Sequence, residues 1–154
     1  MEAAAATPGQ VAQSPAGVWW TAFLRTLYES QLRLRSVLKL PRACLDVQHG
    51  CLHLPAGTDK RRAGQTYRLS PDTLEALGEI RGEGQEATNQ HPLFAWPEEK
   101  TGRPRSGLEA CYAAILARAG VPIGTDPFNK IRRTARAHLA GQATWVPTVN
   151  EIAN

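Results

Sequence analysis

Three short segments in which apolar and polar residues alternate constrain the fold of this chain more than any other feature. Leu45–Val47 and Cys51–Leu54 flank a turn at His49-Gly50, and Thr66–Leu69 follows a polar loop. Alternation of apolar and polar residues over so few positions is typical of strands with one buried face. Three such strands cannot enclose a core by themselves, so helices have to supply most of its apolar side chains.

Helical patterns do surround these strands. Ser70 is a predicted N-cap, Pro71 suits a first helical turn, and Leu69 can pack against Leu74. Apolar residues recur at helical spacing in five stretches, which are Gly17–Tyr28, Leu32–Leu40, Pro71–Ile80, Gly107–Ala119 and Pro127–Ala140. The sequence therefore predicts an α+β fold with about five helices around a three-stranded antiparallel sheet.

Particular side chains are expected in the core. The expected buried faces comprise Leu74, Leu77 and Ile80 on the third helix and Leu108, Cys111, Ile115 and Leu116 on the fourth. Residues 82–104 resemble a long loop, in which Leu93, Phe94 and Trp96 form an apolar island that should attach it to the core. Residues 1–14 are small and polar, which predicts a disordered segment.

Charge and cysteine content narrow the functional classes. The 154 residues carry a formal charge of +4 with a pI near 9.3, which suits a polyanionic partner without requiring one. Three cysteines without a CxxC motif indicate free thiols in a reducing compartment. No apolar run is long enough to span a bilayer, and no signal peptide is recognisable, so the expected location is the cytoplasm.

A metal site is the alternative interpretation of one segment. Cys44, His49, Cys51 and His53 lie within ten residues of one another. Their spacing differs from the tight, repeated pairs of zinc sites. The alternation of Cys51 and His53 with leucines favours a strand with one buried face, and no metal is expected.

The last helical stretch carries the strongest candidate for a binding surface. Phe128, Ile131, Ala135 and His138 share one face at helical spacing, which should be core. Asn129, Arg132, Arg133 and Arg136 share another side, and Lys130 adds a further cation. Arginines on a rigid helix can hold a phosphate in fixed geometry, although a solvated helix face has the same pattern.

Two motifs resemble the active-site boxes of the tyrosine recombinase, or phage integrase, family. FNKIRRTARAHL is similar to the FHxLRRTxAxxL stretch of that family, and LYESQLRLRSVLKL is similar to its LYxTGLRIxxLLxL stretch. Gln31 stands where the family has glycine. PLFAWP followed by a helix also matches the middle of the family's catalytic domain, so that the resemblance covers about residues 16–140.

The resemblance implies roles for individual residues. Arg33 and Arg132 would be the two arginines that clamp the phosphate, and Lys60, between the second and third strands, would be the general acid. Asn129 stands in place of the family's histidine; it can donate a hydrogen bond but cannot exchange a proton at neutral pH. Arg61, Arg62, Lys130, Arg133 and Arg136 would contact double-stranded DNA around them. This chemistry requires neither a metal nor a nucleotide cofactor.

The sequence departs from the family at the nucleophile. The family attacks DNA with a tyrosine that follows a third box, whereas Tyr28, Tyr67 and Tyr112 all precede the second box. We expect Tyr28 and Tyr112 on helices, more core than catalytic, and Tyr67 in the third strand. The expectation is an incomplete catalytic domain, inactive alone unless another recombinase subunit supplies the tyrosine.

The domain organisation follows from the same comparison. It comprises residues 1–14 as a disordered segment, 15–140 as the integrase-like domain and 141–154 as a divergent tail, without the preceding DNA-binding domain that integrases carry. Two other classes remain open. The chain could be a non-enzymatic helical module whose basic helix rests on the DNA backbone, or an interaction domain with a solvated basic face.

Overall fold

A computed structural model describes residues 1–12, 14–56, 64–81, 91–96 and 104–141. Their helices are α1 (Glu2–Ala5), α2 (Ala16–Ser30), α3 (Leu34–Leu38), α4 (Pro71–Arg81), α5 (Pro104–Arg118) and α6 (Pro127–Ala140), with a 3-10 turn at Arg42–Cys44. The strands are β1 (Gln10–Val11), β2 (Ser14–Pro15), β3 (Leu45–Asp46), β4 (Cys51–Leu54) and β5 (Gln65–Arg68). The architecture is thus a mixture of helix and sheet, compatible with the predicted α+β class.

The predicted three-stranded antiparallel sheet is present. The strands are ordered β3-β4-β5, and Leu52 pairs with Leu45 on one side and Tyr67 on the other. Leu52 and Leu54 are buried and His53 is exposed, as the alternation predicted. The third strand begins and ends one residue earlier than predicted, and Val47 belongs to the turn, where it is exposed.

Helix α2 is the centre of the molecule. It contacts α1, α3, α4 and α6 as well as β5, and it is buried on several sides through Trp19, Trp20, Phe23 and Leu27. A helix that is apolar around most of its circumference has to be surrounded by other elements. Aromatic rings from distant segments complete this core, since Trp19 contacts both Phe94 and Trp96.

The apolar island attaches to the core as predicted. Leu93 and Phe94 are almost fully buried, and Trp96 packs against the cluster. The Leu93 amide donates to the Leu40 carbonyl at 2.6 Å, and the Arg42 amide donates to the His91 carbonyl at 2.9 Å. These two bonds continue the backbone pairing beside the isolated bridge between Pro41 and Pro92.

The amino-terminal segment differs from its prediction of disorder. It forms α1 and the hairpin β1–β2, with Ala4 and Val11 buried. Gly17 allows this approach, because a Cβ at that position would lie 2.0 Å from the Ala5 carbonyl oxygen. Arg118 of α5 holds the segment from the other side, donating to the Thr7 hydroxyl at 2.7 Å. The small residues of the amino-terminal segment favour this ordered structure because they let its backbone approach the backbone of α2.

The burial of several residues on α4 and α5 differs from the prediction. Cys111 is exposed, and Tyr112 takes its place in the core because it stacks on Trp20 and Phe128. On α4, Leu74 is only partly buried, whereas Thr73 and Ala76 join Leu77 and Ile80 inside. In both helices the predicted face is largely kept, because Leu77, Ile80, Leu108 and Ile115 are buried, and the differences concern neighbouring positions. None of the described helices is both long enough and apolar enough to cross a membrane.

Candidate nucleic-acid interface

Helix α6 begins and ends where the sequence predicted. Asp126 adopts a left-handed conformation with φ of 56°, and its carbonyl accepts hydrogen bonds from the amides of Asn129 and Lys130 at 3.1 and 3.3 Å. Pro127 then occupies the first turn, where its missing N–H costs no hydrogen bond. The start of α6 is therefore determined by the adjacent residues Asp126 and Pro127.

Aromatic contacts fix the first turn of α6 on the core. Phe128 stacks on Tyr112 with ring centroids 4.5 Å apart and meets the edge of Phe23 at 6.3 Å. Ala135, two turns further, is fully buried, and Ile131 packs against the core between them. The line from Phe128 to Ala135 thus faces inward, and the polar side of the helix faces away from the core.

The basic side chains of α6 form a stripe along that outer side. We call Asn129, Arg132, Arg133 and Arg136 the basic stripe. Arg133 and Arg136 are exposed, as is the adjoining Lys130, whereas Asn129 and Arg132 are half-buried. Arg132 also has an interaction within the protein. The stripe presents cations in a fixed order on a rigid element.

The other predicted arginine lies just beyond the end of α2. Arg33 is exposed and serves as the N-cap residue of α3, where its carbonyl accepts the amides of Ser36 and Val37 at 2.8 and 3.1 Å. Helix α2 therefore positions both arginines, since α3 follows it directly and α6 packs along it. Lys60, Arg61 and Arg62 lie outside the described residues, so the convergence of Lys60 with Arg33 and Arg132 stays a prediction.

Gln31, between α2 and α3, has an unusual backbone. Its φ and ψ are 52° and 20°, the left-handed region, and its amide donates to the Leu27 carbonyl at 3.1 Å. Helices frequently end on a residue in this conformation, and glycine is the residue that adopts it without strain. The backbone at position 31 thus favours glycine although the sequence supplies glutamine.

The three tyrosines have different surroundings. Tyr112 is buried, and desolvation raises the pKa of its hydroxyl to about 12, which disfavours a tyrosinate nucleophile. Tyr67 lies in β5, and its hydroxyl donates to the Gln65 side chain. Tyr28 is half-buried instead of being part of the core, and its hydroxyl contacts Nδ1 of His138. We did not predict this pair, whose members are 110 residues apart in sequence.

His138 also differs from its prediction. It was expected on the core face of α6, but it is exposed and reaches back to Tyr28, with ring centroids 6.2 Å apart. On a regular helix His138 lies about 80° from Phe128 around the axis, so it occupies the edge of the buried face. Periodicity alone does not separate an edge position from a buried one.

Glu29 is a second contact that sequence reasoning missed. Its carboxylate accepts hydrogen bonds from the Ser70 amide at 2.8 Å, the Ser70 hydroxyl at 2.6 Å and the Thr73 hydroxyl at 2.8 Å. Ser70 also accepts the Thr73 amide at 3.3 Å, as predicted for an N-cap. The carboxylate meets the positive end of the α4 dipole and joins α2 to α4.

The hairpin between β3 and β4 carries a small polar cluster. Asp46 accepts the His49 amide at 2.9 Å, contacts Nδ1 of His49 at 2.8 Å and lies 3.7 Å from Nε2 of His53. These interactions, the backbone hydrogen bond first, lower the pKa of Asp46. Within the part of the chain that the structure describes, no group of three ligating side chains could hold a metal ion.

Comparison with known proteins gives no match to any family model, to any curated protein or to any solved structure. A function for this chain therefore has to be inferred from its geometry and from the motif resemblance.

Proposed function

We propose that this domain binds the phosphate backbone of double-stranded DNA through the basic stripe of α6 together with Arg33. The observation that carries the proposal is the attachment of α6. Phe128 and Ala135 fix its apolar face on the core, and Lys130, Arg133 and Arg136 are left exposed outside that face. Because the backbone of the helix is already ordered, only the side chains lose conformational freedom when they bind phosphate, which favours affinity.

We further propose that the domain is of the tyrosine recombinase type. The order of a central helix, a short helix, three antiparallel strands and three further helices agrees with the order that the resemblance implies. The left-handed backbone at Gln31 supports the same proposal, because the family has glycine there. In this proposal Arg33 and Arg132 clamp one phosphate, and Lys60 is the general acid.

Strand cleavage by the chain alone is not part of the proposal. Tyr112 is buried, Tyr67 lies in the sheet and Tyr28 contacts His138, so none is an open nucleophile in this conformation. We propose that covalent chemistry requires a tyrosine from a second recombinase subunit. A nicked DNA substrate that traps phosphotyrosine should therefore yield no covalent adduct with this protein alone.

DNA affinity at two salt concentrations tests the binding proposal. We expect fluorescence anisotropy with a labelled duplex of about 20 base pairs to show binding at 50 mM salt that weakens steeply by 200 mM. Arg132→Ala and Arg133→Ala should each reduce the slope of log affinity against log salt by about 0.9, and Arg33→Ala should do the same.

The matched control is Arg118→Gln, which removes one positive charge at a side chain already bonded to Ala6 and Thr7. It should leave the salt slope unchanged. The proposal would be contradicted if the correctly folded protein failed to bind DNA at low salt. It would also be contradicted if Arg118→Gln reduced the salt slope as much as the substitutions of Arg33, Arg132 and Arg133.

A further inference from the structure

We infer that Tyr28 and His138 are positioning residues that set the orientation of the basic stripe for DNA. The inference depends on the proposed function, because it assigns these residues a role in the same binding surface. Its starting point is the contact between the Tyr28 hydroxyl and Nδ1 of His138, which joins α2 to the last turn of α6.

The two ends of α6 are held by different chemistry. Phe128 anchors the first turn through close ring contacts with Tyr112 and Phe23. Ten residues later, about 15 Å along the axis, His138 is exposed and contacts a hydroxyl. Phe128 and Ala135 hold the apolar line of α6 on the core, so the polar contact beside that line determines how far the last turn can rotate about it.

His138 and the basic stripe lie on opposite flanks of the buried line. Relative to Phe128, Arg132 and Arg136 lie about 40° and 80° around the axis in one direction, and His138 lies about 80° in the other. A bond on the His138 flank therefore opposes rolling of the helix toward the stripe. Rolling would bury or withdraw Arg132, which is already half-buried.

The orientation of α6 is important for binding because Arg132 has to act together with Arg33. Tyr28 lies in the last turn of α2, and Arg33 lies just beyond the end of that helix, five residues later. Tyr28 therefore belongs to the segment that carries Arg33. The Tyr28–His138 contact thus couples the element bearing Arg33 with the helix bearing Arg132. One phosphate can contact both arginines only if these elements keep a fixed relation.

Tyr28→Phe is the sharpest test, because it removes only the hydroxyl and keeps the ring. We expect its affinity for a 20-base-pair duplex at 50 mM salt to fall about fivefold, the factor that corresponds to one hydrogen bond. His138→Ala should give a similar loss. His138→Asn should retain much of the wild-type affinity, because its side-chain amide can place a polar atom close to the position of Nδ1.

A double-mutant cycle separates positioning from general destabilisation. In an Arg132→Ala/Arg136→Ala background, Tyr28→Phe should have almost no further effect on affinity, because the side chains that it positions are gone. Affinities are compared at a temperature where every variant is fully folded. An unchanged affinity in Tyr28→Phe, or a loss that is the same in both backgrounds, overturns the inference.

Amide hydrogen exchange tests the helix itself without DNA. Exchange in the last two turns of α6 should be faster in Tyr28→Phe than in wild type, while exchange in α4 stays the same. Unchanged exchange in α6 overturns the inference whatever the DNA result. A wild-type protein that is folded but binds no DNA instead overturns the proposed function, and the two failures are therefore distinguishable.

Discussion

The central helix α2 makes two polar junctions that differ in what they leave exposed. At the junction with α4, Glu29 accepts three hydrogen bonds and Arg25 pairs with Asp72 at 3.1 Å. At the junction with α6, the Tyr28 hydroxyl contacts the His138 imidazole, and Lys130, Arg133 and Arg136 of that helix are exposed. The charged side chains of the first junction bind partners within the protein, whereas exposed charged side chains of α6 can contact a ligand.

If α6 binds DNA as proposed, the two junctions have different roles in stability and in binding. Polar groups that satisfy one another across an interface fix two elements but have little capacity left for a ligand. Helix α6 is attached mainly by apolar contacts, through Phe128 and Ala135, and its side chains Lys130, Arg133 and Arg136 stay exposed. Changes at the α4 junction should therefore affect folding, whereas changes on the outer side of α6 should affect binding.

The largest expected effect comes from removing the apolar anchor of α6. Phe128→Ala should lower the free energy of unfolding by about 3–4 kcal/mol, because it deletes a buried ring packed on Tyr112 and Phe23. Urea denaturation measures the loss. Ile123→Ala truncates an exposed apolar side chain in the preceding loop and should cost less than about 0.5 kcal/mol. Equal effects of the two substitutions would contradict this account of the junction.

The α4 junction is tested by Glu29→Gln. The amide keeps one acceptor oxygen but loses the charge and the second oxygen, so unfolding should become easier by about 1–3 kcal/mol. Glu75→Gln, on the exposed side of α4, is the matched control and should change stability little. If DNA affinity of the folded protein fell in Glu29→Gln as much as in Arg132→Ala, the proposed division between the junctions would be wrong.

A smaller and opposite effect is expected at the turn between the two junctions. Gln31→Gly should raise the free energy of unfolding by about 0.5–1 kcal/mol, because glycine adopts the left-handed backbone without steric strain. Gln31→Ala retains the strain and should give no gain. Thermal unfolding of the three proteins decides between these outcomes, and a gain in the alanine variant would show that the glutamine side chain itself is unfavourable.

The smallest effect concerns acid stability at the hairpin, away from both junctions. The folded pKa of Asp46 lies below its ordinary value, so its contribution is present above the unfolded pKa near 4 and disappears as pH falls through the folded pKa. Asp46→Asn should therefore be less stable than wild type at pH 6, with the difference vanishing in strong acid. Melting temperatures from pH 6 to pH 2 measure this, and a constant difference would contradict it.

Much of the fold could be predicted because its signals are local. Asp126 and Pro127 define the start of α6, Ser70 begins α4, and the alternation through Leu52 and Leu54 defines a strand. Gly120 follows the end of α5 with φ of 66°, the left-handed backbone that glycine adopts readily after a helix. Each of these signals involves residues within a few positions of one another, where backbone geometry and hydrogen bonding restrict the choices.

Contacts between distant segments could not be predicted in the same way. Nothing near Tyr28 indicates His138, and nothing near Glu29 indicates Ser70, because these pairs depend on how α6 and α4 pack around α2. The exposure of Cys111 has the same origin, because tertiary packing decides that its neighbour Tyr112 stacks on Trp20 and Phe128.

The sequence by itself thus determined the order and type of most elements, the outward character of the basic stripe and the residues that resemble a phosphate clamp. Only the tertiary structure decided that the amino-terminal segment packs on α2 through Gly17, and that α6 is held by an aromatic anchor and a polar contact. The physical reason is that helix and strand patterns arise from neighbouring residues, whereas packing is decided by the shape and polarity of surfaces that meet only after folding.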